Sequence, residues 1–148
     1  MDRGAAVLLT ALVGGLIALQ APINSGLGRT IGSFQAAFVS FAIGTTLLLA
    51  IATLARGGLG QIANIGSVPA WYYLTGGLLG AAYVTTVLVT VRSLGAGGVT
   101  AATVAGQLTA SMVVDQYGLL GVDRSPITAL KLLGVLLLAA GTFLIVRE

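Results

Sequence analysis

The stretch Ser33–Ala55 reads SFQAAFVSFAIGTTLLLAIATLA, carries no charge, and is closed off by Arg56. Its apolar residues do not alternate as they would in a strand with one face in water. They fall on every side of a helix rather than along one stripe. A segment of this length matches the roughly 20 residues that cross a hydrocarbon core of about 30 Å. Lipid offers backbone amides no partners, so each must be satisfied within its own segment, and the reading is a transmembrane α-helix.

Working outward, four more segments have the same character. The five spans are expected at about 4–27, 33–55, 70–91, 97–119 and 126–146, within a single domain covering 1–148. Met1-Asp2-Arg3 ahead of an apolar run resembles a signal peptide, but the run continues to about Leu19 without a distinct cleavage site. It is read as a retained first span. Leu59–Val68, with Gln61, Asn64 and Ser67, is the longest expected loop; Gly95–Gly98 is expected to be a tight turn. Pro69 and Pro126 stand where the third and fifth helices would start, a position where the missing N–H costs nothing. The expected fold class is an all-α membrane protein, a five-transmembrane-helix bundle.

Composition agrees with a bilayer as solvent. The 148 residues are 57% hydrophobic and 7% charged, against about 25% charged in soluble domains. A β-barrel would need strands of about 10 residues alternating polar and apolar. Cysteine and histidine are both absent, which removes thiol chemistry and the usual zinc or haem ligands. No metal or cofactor is expected. The chain has no Walker motif and no Ser/His or Cys/His pair, so it is not expected to be an enzyme. The 7 basic and 4 acidic residues are scattered; no basic patch points to nucleic acid.

The loops barely specify orientation. The N-terminal side holds Arg3, Arg56, Arg124 and Lys131; the other side holds Arg29, Arg92 and Arg147. Orientation follows Lys/Arg asymmetry in short loops, and four against three is almost none. Two readings stay open: a weakly biased single orientation, and dual topology with the chain pairing as an antiparallel dimer. Two inverted units would reproduce the inverted repeats of many transporters, with a site near the midplane. The expected partners are membrane lipid and a copy of the chain, or a homologous chain, in inverted orientation.

Polar groups inside the bilayer mark functional positions. Thr103, Gln107, Ser111 and Asp115 recur every four residues in the fourth span, sharing one face with Thr100. Ala101, Val104, Leu108 and Met112 form the opposite, lipid-like side, and Ala102, Gly106 and Ala110 form a small-residue series suited to close packing. Gln107 is near the span centre. Asp115 lies eight residues further on, about 12 Å along the axis and so close to the core edge. It reads either as an interfacial carboxylate or as one at a cavity mouth. Gln107 reads either as a helix–helix clamp or as a substrate contact. In the first span Gln20 and Asn24 share a face, and Pro22 frees the carbonyl of Ala18. That suggests a kinked or broken helix end lining a cavity, or a plain end among headgroups. Trp71, Tyr72 and Tyr73 read as an interfacial belt. Tyr83 lies mid-span, where its hydroxyl needs a partner.

Several of these segments together resemble a known family. They are Gly14-Gly15, Gln20-Ala21-Pro22-Ile23-Asn24, Phe41-Ala42-Ile43-Gly44 and Trp71-Tyr72-Tyr73-Leu74-Thr75-Gly76-Gly77-Leu78-Leu79-Gly80. Leu94-Gly95-Ala96, Gly106-Gln107-Leu108-Thr109-Ala110-Ser111 and Asp115-Gln116-Tyr117-Gly118-Leu119 complete the set. The pattern resembles the YdcZ-type branch of the drug/metabolite transporter superfamily over nearly the whole chain. The resemblance implies five-helix units in a bacterial cytoplasmic membrane. These occur as dual-topology homodimers, as oppositely oriented pairs, or fused into ten-helix chains. It implies transport, and marks Gln20, Asn24, Gln107 and Asp115 as positions of interest. The expected function is a small secondary-active transporter subunit working by alternating access on a small organic metabolite or drug. A non-transporting partner subunit and a channel are the alternatives.

Overall fold

The structure, a computed structural model, describes residues 2–55 and 58–147. Arg56, counted above among the loop charges and as the end of the second span, lies outside the described residues. The helices are α1 (Arg3–Ile31), α2 (Ser33–Leu54), α3 (Trp71–Tyr117) and α4 (Ala129–Arg147), with 3-10 helices at Gly58–Ser67 and Leu119–Gly121. No strand occurs among the described residues. Each of the four α-helices is long and apolar enough to cross a membrane.

α3 has 47 residues, about 70 Å if it were one straight helix, more than twice a hydrocarbon core. It is not continuous. Gly95 has φ 69 and ψ 170, a conformation essentially confined to glycine, so α3 consists of residues 71–94 and 96–117. With α1, α2 and α4 this makes five α-helical segments among the described residues. The chain divides into two compact units, Met1–Arg92 and Ser93–Glu148.

In the first unit, Asp2 caps α1, its carboxylate accepting from the amides of Gly4 at 2.6 Å and Ala5 at 3.1 Å. A single residue, Gly32 (φ 95, ψ 148), separates α1 from α2. The core is small: Ala36, Ala37, Val84 and Leu88. Alanines on α2 let its backbone come close, and Leu88 fills the space at 1% exposure.

In the second unit, residues 96–117 pack on α4. Thr142 Oγ1 donates to the carbonyl of Ala101 at 3.1 Å and to that of Leu138 in its own helix at 2.9 Å. Gly118 ends the helix in the left-handed conformation (φ 61, ψ 40), the common helix stop.

Large apolar side chains stand outside as well as in the core. Leu12, Phe38, Leu54 and Leu130 are 71%, 74%, 88% and 80% exposed. Apolar surface on this scale needs lipid or protein against it.

The elements differ from the sequence reading in four places. α1 runs through Pro22 to Ile31, so residues 20–25, read above either as a kinked or broken end or as a plain end among headgroups, lie inside the helix. The expected loop after α2 is a 3-10 helix. The expected Gly95–Gly98 turn shrinks to Gly95 alone. α4 opens at Ala129 rather than Pro126: the Ile127 amide is taken by Gln116 Oε1 at 2.7 Å, and residues 122–128 form no regular element. Thr128 is the cap, its hydroxyl accepting the Lys131 amide at 3.2 Å.

Candidate functional site

The first group of polar residues assembles within the first unit. Gln20 and Asn24 are one turn apart on α1, and both line a crevice with Ile17, Tyr83, Val84 and Leu88. Tyr83 is therefore brought to the α1 pair, although it lies about 60 positions away in sequence. Asn24 is buried at 7% exposure and donates through Nδ2 to Ser40 Oγ on α2 at 3.1 Å. The crevice volume is about 10 Å³, at most the space for one water. It holds polar groups without holding a substrate.

Beside it, at the end of the unit, Arg92 Nε donates to Ser25 Oγ at 3.4 Å, and Ser25 is buried. A Cβ at Gly28 would stand 3.2 Å from Arg92 Nη2 and 3.3 Å from Ser33 Cα. The absence of a side chain at Gly28 is what admits the guanidinium. Sequence reasoning counted Arg92 only as a loop charge. The spacing of Ser25 and Gly28 on one α1 face was the available signal.

The second group lies on residues 96–117. Thr100, Thr103 and Asp115 are half-buried, whereas Gln107 and Ser111 are exposed. Gln107 occupies the middle of the segment. The face expected to meet lipid is in part a packing face, since the carbonyl of Ala101 accepts from Thr142 of α4. The series expected to pack closely, Ala102, Gly106 and Ala110, is exposed, and nothing lies within 4 Å of a Cβ at Gly106. Gln107 and Ser111, with Ala102, Gly106 and Ala110, thus belong to the exposed part of this helix, while Thr100, Thr103 and Asp115 are half covered.

The same unit has an open cavity of about 540 Å³ lined by Leu94, Ala102, Ala105, Ala139, Phe143 and Val146. Thr142 and Arg147 also border it, and the Arg147 guanidinium stands 5.7 Å from the Phe143 ring centroid. Its size falls in the range of ligand pockets, but its wall is apolar. It is separate from Gln107 and Ser111, which do not line it.

Long apolar helices with outward-facing aliphatic side chains define a helical membrane protein, and polar residues stand at mid-helix in it. Residues 5–144 match the family described as "Putative inner membrane exporter, YdcZ". The match spans nearly the whole chain, and the chain belongs to this family. It is an inner-membrane protein of a transporter family rather than of an enzyme family. No curated protein and no solved structure matches it.

Proposed function

We propose that the chain is one half of a small secondary-active exporter. Two copies, or one copy and a homologous chain, lie inverted in the bilayer and enclose a path between them. Its five helical segments each cross the membrane once. A small organic metabolite or drug, cations among them, moves along this path by alternating access.

The observation that carries this reading is the exposure of Gln107 and Ser111 at the centre and in the C-terminal half of a helix long and apolar enough to cross the membrane. An amide left without partners in hydrocarbon costs several kcal/mol, roughly 2–7 by transfer scales. A partner that covers Gln107 and Ser111 removes that penalty, and the adjacent Ala102, Gly106 and Ala110 let a second backbone approach. The near-balanced loop charges favour a partner of opposite orientation. In such a pair Asn24 of one copy comes to the depth of Asp115 of the other. Gln107, Ser111 and Thr103 then line the path, and Asp115 acts as a gate or coupling carboxylate at its mouth. Tyr83 and Gln20 border the path from their crevice.

The test is efflux of a panel of fluorescent organic cations and neutral amphiphiles from vesicles holding the purified chain, with the dimer followed by cross-linking. Gln107→Ala is expected to stop efflux of any transported member while the cross-linked dimer persists. Unchanged efflux would remove Gln107 from the path, and loss of the dimer would make it an interhelical clamp.

A further inference from the structure

The segment between α2 and α3 is a 3-10 helix of 10 residues, Gly58–Ser67. Runs of this kind longer than about 3–4 residues are uncommon, so this one needs a cause. The sequence supplies it. From Leu59 onward it repeats every three residues: Leu59, Ile62, Ile65 and Val68 are aliphatic; Gly60, Ala63 and Gly66 are small; Gln61, Asn64 and Ser67 are polar. A 3-10 helix has three residues per turn, so residues three apart eclipse one another. Within Gly58–Ser67 each class therefore forms a straight stripe, and Val68, just past its end, donates its amide to the carbonyl of Ile65 at 3.3 Å, one more turn of the same spacing. In an α-helix the same four aliphatic residues would step by about 60° each and fan over half the circumference.

The segment touches α2 but leaves the aliphatic stripe largely open. Leu59, Ile62, Ile65 and Val68 are between 38% and 57% exposed. The polar stripe is exposed too, and Ser67 Oγ donates back to the carbonyl of Asn64 at 2.7 Å. Both ends of the segment continue into helices that cross the membrane. Its exit is marked by Trp71 and Tyr72, ring centroids 4.0 Å apart, residue types that settle at the bilayer–water boundary. The segment carries no charge, so neither a charged protein surface nor anionic headgroups are called for.

We propose that Gly58–Ser67 is a membrane-surface helix. It lies along the bilayer with Leu59, Ile62, Ile65 and Val68 seated among acyl chains and Gln61, Asn64 and Ser67 turned to water. Such seating is driven by apolar burial. At about 2 Å per residue the segment spans roughly 20 Å, holding the ends of α2 and α3 at one depth.

The chain has no cysteine, so single-cysteine variants can be spin-labelled cleanly at each position from 59 to 68. The full-length chain in phosphatidylcholine vesicles would be probed by collision with oxygen, which partitions into lipid, and with a water-soluble nickel chelate. Leu59→Cys, Ile62→Cys and Ile65→Cys are expected to favour oxygen several-fold over Gln61→Cys, Asn64→Cys and Ser67→Cys, with period three. Equal access of the chelate to all positions would overturn the proposal. So would shielding of the aliphatic positions from both reagents, which would mean a protein partner, or a period of 3.6.

Discussion

Asn24 Nδ2 donates to Ser40 Oγ at 3.1 Å, tying α1 to α2 through a carboxamide that is only 7% exposed. Interhelical hydrogen bonds in membrane proteins average about 0.6 kcal/mol and reach about 1.7. A double-mutant cycle of Asn24→Ala and Ser40→Ala, read by denaturation in mixed micelles, is expected to give a coupling of about 1 kcal/mol. Additive single effects would free Asn24 for a role in transport alone.

Arg92 and Gly28 make a steric prediction of opposite sign at neighbouring glycines. A methyl at position 28 meets Arg92 Nη2 at 3.2 Å and the backbone of Ser33 at 3.3 Å, whereas at Gly26 it meets nothing within 4 Å. Gly28→Ala is expected to destabilise by about 1–3 kcal/mol, the usual cost of overpacking. Gly26→Ala is expected to stabilise by up to about 1 kcal/mol through helix propensity. Thermal unfolding of the two variants side by side checks the contrast.

The helices were legible in the sequence because a bilayer imposes a length and forbids charge. Ser33–Leu54 is apolar on all sides, and no other structure satisfies its amides. The loops were less legible, since their conformation depends on single partners. Gly95 alone interrupts α3, although the text Gly95-Ala96-Gly97-Gly98 suggests a longer turn. Pro126 looks like a helix start, yet the next amide is taken by Gln116, eleven positions from Ile127. The 3-10 helix was hidden because a search at periods 2 and 3.6 passes over period three. Of the candidate site, the sharing of faces was readable: Gln20 with Asn24, and Gln107 with Ser111. That Tyr83 joins the first pair, and that Asn24 bonds Ser40, required the tertiary contacts.

Gly95 governs the division of α3. Its φ of 69 with ψ of 170 lies where a Cβ is strongly disfavoured, at a cost of order 1–3 kcal/mol. Gly95→Ala is expected to destabilise by that amount even though nothing lies within 4 Å of the added methyl. The strain is conformational and not a clash of the methyl. Unfolding of Gly95→Ala beside Gly97→Ala, where the backbone is helical, separates conformational strain from a general glycine effect. Equal stability of the two variants would mean that the break relaxes without cost.

Gln116 is expected to behave as an acceptor and not as a charge-bearing or proton-carrying group. Its side-chain Oε1 takes the Ile127 amide at 2.7 Å, while its backbone carbonyl takes Arg124 Nε at 3.0 Å. The Ile127 amide can only donate, which fixes the oxygen of Gln116 as the contacting atom. Gln116→Leu loses this bond and is expected to cost about 0.5–1.5 kcal/mol. Its effect should appear as faster hydrogen exchange at Ile127 and in the first turn of α4. Gln116→Glu keeps an acceptor oxygen at the same reach and is expected to retain most of that protection. If both variants exchange as slowly as the parent chain, the extended connection is held by Lys131, whose Nζ reaches Ser125 Oγ at 2.7 Å, and not by Gln116.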